Sequence, residues 1–422
     1  WDLQSCIDYA KEQNITIRKN RITAASTQID VKTAKAALFP SLSFSTSQQV
    51  VNRPYQETSS RVSGSEIISS NSKTSYNGNY GLNASWTLYN GNKRLKTIQQ
   101  EKLNNQVAEL DVATSENNIQ ESIAQVYIQI LYAAESVKVN ESTLQVSIAQ
   151  RDRGQELLNA GSIAKSDFAQ LEAQVSTDRY QLVTAQATLE DYKLQLKQLL
   201  ELDGENEMNI YLPALSDENV LSPLPAKRDV YVSALALRPE IEASKLNVNA
   251  SELGIDIAKS GYLPTVSLSA GIGTNHTSGS DFTFGEQGKN GWNNSIGLSV
   301  SVPIFNNRQT KSAVQKAKLQ YETSMLSLLD EQKALYKTIE GLWLDANSAQ
   351  QRYAAANEKL KSTQISYNLI SEQFNLGMKN TVELLTEKNN LLQAQQEQLQ
   401  AKYMAILNTQ LLKFYQGDKL AL

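Results

Sequence analysis

One construction occurs twice in this chain. The first copy reads Ala34-Lys35-Ala36-Ala37-Leu38-Phe39-Pro40-Ser41-Leu42-Ser43-Phe44-Ser45. Roughly 220 residues later comes Ala258-Lys259-Ser260-Gly261-Tyr262-Leu263-Pro264-Thr265-Val266-Ser267-Leu268-Ser269. Two more blocks recur in the same order: Gly81–Asn90 matches Gly297–Asn306, and Leu158-Asn159-Ala160-Gly161 answers Asn375-Leu376-Gly377. Two homologous halves of this kind are each too elongated to bury a core alone. They suit a symmetric tube better than a globular enzyme.

Composition narrows the classes further. The 422 residues carry a net charge of −4, so no basic face for nucleic acid is implied. One histidine, His276, falls in a predicted surface loop, and no Gly-rich phosphate loop or metal-ligand cluster is present in the sequence. The reading is therefore a non-enzyme without cofactors. Cys6 is alone, which excludes an intramolecular disulfide. Leu3-Gln4-Ser5-Cys6 loosely resembles a lipid-attachment box, but five residues precede the cysteine, and a small helix-face residue is the preferred reading. No signal peptide is visible and a helical pattern begins at Trp1, so a processed or trimmed form is expected. No apolar run reaches the length of a membrane helix, but spanning β-strands alternate and keep mean hydropathy low.

Four segments alternate with period 2. They are expected as strands at about 38–51, 77–89, 262–273 and 292–305. Leu82, Ala84, Trp86 and Leu88 oppose Asn83, Ser85 and Thr87; Val266, Leu268, Ala270 and Ile272 oppose Ser267, Ser269 and Gly271. The polar face is nearly uncharged, as in a water-filled lumen, and places Ser43, Asn83, Ser267 and Ser299 there. A soluble sandwich would show the same alternation. Four strands are too few to close a barrel, and an open sheet in lipid leaves backbone groups unpaired. Three copies giving twelve strands close one; two copies would also close. Arg53 to Ser75 and Thr274 to Gly291 are expected as polar outer loops.

Proline-free helical stretches run from Asn92 to about Leu158 and from Gln309 to about Phe374, each roughly 100 Å long at the helical rise. These long helices end at Gly161 and Gly377, in turns at 159–163 and 375–379, and return helices follow. Phe168, Val175, Leu182, Leu189 and Leu196 recur every seventh position, as do Met378, Leu385, Leu392, Leu399 and Ile406. The domain reading is a first repeat at 1–202, a linker at 203–227 packed around the helices, and a second repeat at 228–422.

These features resemble the TolC-like outer-membrane efflux proteins over essentially the whole chain. The resemblance rests on the strand starts Leu38-Phe39-Pro40 and Tyr262-Leu263-Pro264, and on Leu237-Arg238-Pro239-Glu240-Ile241. The strand ends Leu88-Tyr89-Asn90-Gly91 and Pro303-Ile304-Phe305-Asn306, and the two glycine turns with Asp167 and Glu383, add to it.

The resemblance implies a mainly α homotrimer with a twelve-stranded barrel in the outer membrane of a Gram-negative bacterium, continued by a helical barrel in the periplasm. Its implied partners are outer-membrane lipid, a periplasmic adaptor (membrane fusion) protein and an inner-membrane transporter. The implied function is the exit duct of a tripartite pump exporting drugs or small toxic solutes. A type I protein secretion duct is the alternative within that class, and a soluble coiled-coil rod or adhesin the alternative outside it. With four methionines and no Met cluster, copper or silver cargo is disfavoured. The family gate, carried over residue by residue, falls on Asp167, Phe374, Lys379, Glu383, Thr386 and Glu387. Thr386 stands where a second acid is common, and Glu387 is one turn past Glu383. Phe374 replaces a tyrosine, so it cannot donate to Asp167. Lys379 is expected to pair with Ser166 or Asp167 across coils, or with Glu383 at i+4. Gly161, Ser162, Gly377 and Met378 form the implied tips for adaptor docking.

Overall fold

The structure, a computed structural model, describes residues 1–55, 73–203, 208–213 and 220–421, with the backbone alone of 59–63 and 66–70. Parts of the expected loop from Arg53 to Ser75 and of the linker 203–227 lie outside the described residues. The first half contains α1 (Leu3–Gln13), α2 (Ile15–Ala36), β1 (Ser41–Asn52), β2 (Ser59–Ser63), β3 (Glu66–Ser70), β4 (Thr74–Asn90), α3 (Lys93–Asn159) and α4 (Lys165–Leu199). The second contains α5 (Lys227–Leu237), α6 (Pro239–Lys259), β5 (Thr265–Thr277), α7 (Phe284–Asn290), β6 (Asn293–Ser301), α8 (Gln309–Asn375) and α9 (Thr381–Gln416). The chain divides into two compact units. One comprises Trp1–Thr23, Ala108–Ser244 and Leu328–Leu422; the other comprises Ala24–Val107 and Lys245–Ser327.

The second unit holds an antiparallel sheet in the order β1-β4-β5-β6, while β2 pairs with β3. Directly opposed residues share a face. Phe44, Leu82 and Ile272 form one apolar row; Leu42, Ala84, Ala270 and Ile296 form the next; Trp86, Leu268 and Leu298 form a third. The opposite face carries Ser43, Asn83, Gly271 and Ser295 in register, then Thr87, Ser267 and Ser299. The register slips between Thr87 and Tyr89, a bulge beside the passage into α3.

Strand limits differ from the sequence expectation for backbone reasons. β1 begins at Ser41, after Pro40, and β6 stops at Ser301, before Pro303; proline has no N–H to give a ladder. β5 extends past 273 to Thr277, so His276 lies in a strand rather than in a surface loop. Its ring packs 5.0 Å from Phe284 and 5.7 Å from Tyr76. The stretch expected as a polar outer loop contains α7, whose start is a capping box. The Glu286 N–H donates to Thr283 Oγ1 (3.4 Å), and the Thr283 N–H donates to Glu286 Oε2 (2.8 Å).

The first unit is helical. Leu3, Cys6, Ile7 and Ala10 follow the i, i+3, i+4, i+7 pattern and bury one face of α1. They join Ile123, Tyr127 and Leu131 of α3 and Ile406 and Leu411 of α9 in the main core. Burial pushes the Cys6 thiol up to about 12, leaving it an inert core residue. A second cluster joins Val230 and Ala234 of α5 and Ile241 of α6 to Leu335 and Ile339 of α8 and to Leu412 and Tyr415 of α9. Described linker residues are tied to these helices. Gln350 Nε2 donates to the Val220 and Ser222 carbonyls (2.9 and 2.8 Å), and Trp343 Nε1 donates to that of Pro225 (3.0 Å).

The α9 seam departs from the sevenfold expectation. The buried line toward its start is Thr381, Leu384, Lys388 and Leu391, whereas Met378 is exposed and Leu385 and Leu392 are half-buried. The helix meets partners on more than one side, so its apolar surface is wider than a single coiled-coil stripe, and the innermost line is displaced by one residue.

Candidate functional site: the helical turns and the two-faced sheet

Both long helices end in the same motif. Gly161 (φ 73) and Gly377 (φ 75) take the left-handed conformation that costs glycine little. The Gly161 and Ser162 amides donate to the carbonyls of Leu158 (2.9 Å) and Leu157 (2.8 Å). Those of Gly377 and Met378 donate to Phe374 and Gln373 (2.9 Å each). These paired bonds satisfy the last helical carbonyls. Nothing lies within 4 Å of a Cβ built on either glycine, and Ser162 and Met378 are exposed beside them.

The return helices begin with the predicted acids at their third position. The Glu383 N–H donates to Asn380 Oδ1 (2.9 Å), and the Asn380 N–H donates to Glu383 Oε2 (3.2 Å), a reciprocal capping box. Lys379 Nζ reaches Glu383 Oε1 at 2.5 Å. The Lys379 ammonium and then the Asn380 amide hold the Glu383 carboxyl below the usual carboxylate range. In the first half Asp167 Oδ2 accepts from the Ala164 N–H (3.4 Å), but Ala164 has no side-chain oxygen to return the bond. The acid six positions past each turn glycine thus has a local cause: it neutralises a helix N-terminus.

The remaining predicted residues separate into distinct contacts. Phe374 is buried. Thr386 Oγ1 donates to the Val382 carbonyl of its own helix (2.8 Å), and Glu387 accepts from Ser366 Oγ of α8 (3.0 Å). Among the described residues no hydrogen bond or ion pair joins Lys379 to Ser166 or Asp167; Lys379 is paired with Glu383.

One cluster was not singled out from the sequence. Lys388, Asp178 and Ser147 are 3%, 1% and 2% exposed. Lys388 Nζ donates to Asp178 Oδ2 and to Ser147 Oγ, and Ser147 Oγ donates to Asp178 Oδ2. Gln174 Nε2 donates to Asp178 Oδ1 (2.8 Å). Burial pushes the Lys388 ammonium below its ordinary value. The available signal was the position of Lys388 between Leu384 and Leu391 on one helical face.

The sheet has one apolar and one polar face, and residues of both are exposed. Phe44, Ile296 and Leu298 are 68%, 79% and 65% exposed, so the described residues leave the apolar face uncovered. On the polar face hydroxyls and amides bond locally. Asn83 Nδ2 donates to Ser45 Oγ (3.3 Å) and Ser269 Oγ to the Gly297 carbonyl (3.3 Å). Among the described residues, β1 and β6 each have one edge without a partner strand. Among the described residues no helix is long and apolar enough to cross a membrane, and no group of His, Cys, Asp and Glu could hold a metal ion.

Comparison with known proteins meets this geometry. The Outer membrane efflux protein family matches residues 6–201 and 230–417. Outer membrane protein TolC of Escherichia coli (strain K12) is 24% identical over 315 residues, covering 72% of this chain and 62% of that protein. Outer membrane efflux protein BepC of Brucella suis biovar 1 is 24% identical over 295 residues, covering 69% of this chain and 61% of that protein. The chain thus spans about three fifths of the length of these curated relatives. The solved structure of CusC superposes with a TM-score of 0.83 at 18% identity, covering 99% of this chain and 92% of that one. With the fold shared over nearly the whole chain and both halves matched, this is an outer-membrane protein and belongs to the outer membrane efflux protein family.

Proposed function

We propose that the chain assembles as a homotrimer whose twelve strands close a barrel in the outer membrane and whose helices continue as a tunnel in the periplasm. It serves as the exit duct of a tripartite efflux pump for drugs or small toxic solutes. The carrying observation is the sheet: among the described residues it has one apolar face without cover, one uncharged polar face, and an open edge on each side. In lipid, open edges cost several kcal/mol per unpaired group, so neighbouring copies supply the missing strands. Ser43, Asn83, Ser267 and Ser299 then line the lumen.

The helical turns form the entrance. Gly161, Ser162, Gly377 and Met378 present the surface for an adaptor joined to an inner-membrane transporter. Asp167, Phe374, Lys379, Glu383, Thr386 and Glu387 belong to the constriction. Threefold repetition of Glu383 makes an acidic ring that favours cations where low-dielectric walls focus its field.

The test is made in cells and in bilayers. Protein extracted with detergent should have the mass of three chains and conduct in planar bilayers. Its deletion should raise retention of a fluorescent efflux substrate. A detergent-independent monomer without conductance overturns the reading, and loss of a secreted protein with unchanged dye retention moves the duct to protein export.

A further inference from the structure

The two helical hairpins, α3/α4 and α8/α9, are joined by apolar packing and by side-chain hydrogen bonds. Toward the core, Ile123, Tyr127 and Leu131 share an apolar cluster with Ile406 and Leu411. Toward the turns, the contacts between hairpins include Ser136 Oγ to Gln396 Oε1 (3.1 Å), Gln150 Nε2 to Tyr367 Oη (2.9 Å) and Gln174 Nε2 to Asn389 Oδ1 (3.4 Å). Among these polar contacts lies Lys388, about two helical turns into α9 between the buried Leu384 and Leu391, and itself buried against Asp178 and Ser147.

We propose that Lys388, Asp178 and Ser147 form a positioning cluster that fixes the spacing between the turn ends of the two hairpins, and with it the aperture of the duct; this rests on the function proposed above. Lys388 comes from α9, Asp178 from α4 and Ser147 from α3, so one ammonium ties one half's return helix to both helices of the other. Both Asp178 oxygens are occupied, Oδ2 by Lys388 and Ser147 and Oδ1 by Gln174. A satisfied buried network of this kind specifies one spacing. An apolar layer favours contact at every separation that excludes water. A buried ion pair instead offsets its desolvation only in the paired geometry, and both ions regain hydration once the helices part. The cluster therefore defines the closed spacing without opposing separation as an apolar layer would. The apolar core below keeps the hairpins joined.

The test uses the full chain in detergent and in planar bilayers, comparing wild type, Lys388→Met and the double variant Asp178→Leu/Lys388→Met. Amide hydrogen exchange is read over residues 157–167 and 373–384, with single-channel conductance beside it. Lys388→Met leaves the buried Asp178 carboxylate without its cation. It should speed exchange in both turn segments by about tenfold or more and raise conductance. The apolar double variant, which opposes separation more than the ion pair does, should exchange more slowly than wild type and conduct less than either of the other two proteins. A lower melting temperature with turn exchange within about twofold of wild type marks a merely structural role and overturns the proposal. So does a double variant that exchanges as fast as wild type or faster. If the single variant does not assemble, the double variant decides: exchange slower than wild type supports the cluster, and equal or faster exchange overturns it. Exchange is read without a pore, so a wild-type protein that fails to conduct defeats the duct reading separately.

Discussion

The guanidinium of Arg238 lies over the ring of Tyr415, 4.0 Å from its centroid, and joins the corner between α5 and α6 to the last helix. Its Nη2 donates to Glu121 of α3 at 2.7 Å and its Nε to Glu240 at 2.9 Å. Burial pushes the Glu121 carboxyl up even though Arg238 and Tyr415 pull it down, so desolvation dominates there.

Removing that cation strands two carboxylates. Arg238→Ala should cost on the order of 3 kcal/mol of stability, the scale for breaking one side of a buried pair. Arg238→Lys should recover little, because a single ammonium cannot reproduce the two-pronged, stacked geometry. Adding Glu121→Gln to Arg238→Ala should recover part of the loss, since a neutral amide escapes the charge penalty. Thermal unfolding of the four proteins checks the order; equal losses for the single and double variants contradict it.

The sheet faces predict opposite responses to charge. Leu298→Arg places a guanidinium on the apolar face that the proposed barrel turns to lipid, at a cost of about 2–4 kcal/mol near mid-membrane. Heat-stable trimers in outer-membrane fractions should fall sharply. Ser269→Asp, on the opposite face, should assemble normally and increase the cation preference of conductance. Equal assembly of the two variants would reverse the assignment of faces.

The sequence made some of this legible and hid the rest for physical reasons. Period-2 alternation identified Leu82, Ala84 and Trp86 as one face because successive strand side chains must point oppositely. The glycine turns were readable because few other residues tolerate φ near +75. Glu383 was found by position, but its capping bond to Asn380 depends on a local geometry the resemblance did not supply. Lys388 and Asp178 are 210 residues apart, and no local period encodes such a meeting. The displaced α9 seam has the same origin: two adjacent apolar stripes exist, and only packing chooses the inner one. Strand limits failed by a few residues where Pro40 and Pro303 withdraw a ladder donor.

The turn glycines give a prediction about backbone alone. A Cβ at Gly161 or Gly377 meets nothing within 4 Å, so substitution there costs conformational strain without a clash. Gly377→Ala should lose about 1–2 kcal/mol, the penalty of the left-handed region for an L-residue. Gly377→Asn should lose less and Gly377→Val more, because asparagine tolerates that region and a β-branched chain does not. The same order is expected at Gly161. Hydrogen exchange of the Gly377 and Met378 amides measures it, and an unchanged rate in Gly377→Val would deny the turn its role.

Glu383 makes the α9 start sensitive to acid in one direction. Its carboxyl titrates below the ordinary range because Lys379 and the Asn380 amide favour the charged form. A lowered folded value means the stabilisation is complete above the unfolded carboxylate range near pH 4–5 and disappears as pH falls through the folded value. Exchange of the Asn380 and Glu383 amides, corrected for intrinsic pH dependence, should be constant from pH 8 to about 5 and accelerate below about 4. Glu383→Gln keeps an acceptor but removes the charge, so it should show the faster exchange at every pH and weaken cation selectivity. Asp167 accepts one long bond without a returning partner, so Asp167→Asn should change the α4 start less than Glu383→Gln changes that of α9. A larger effect at Asp167 would mean that the two turns do not share the same capping physics.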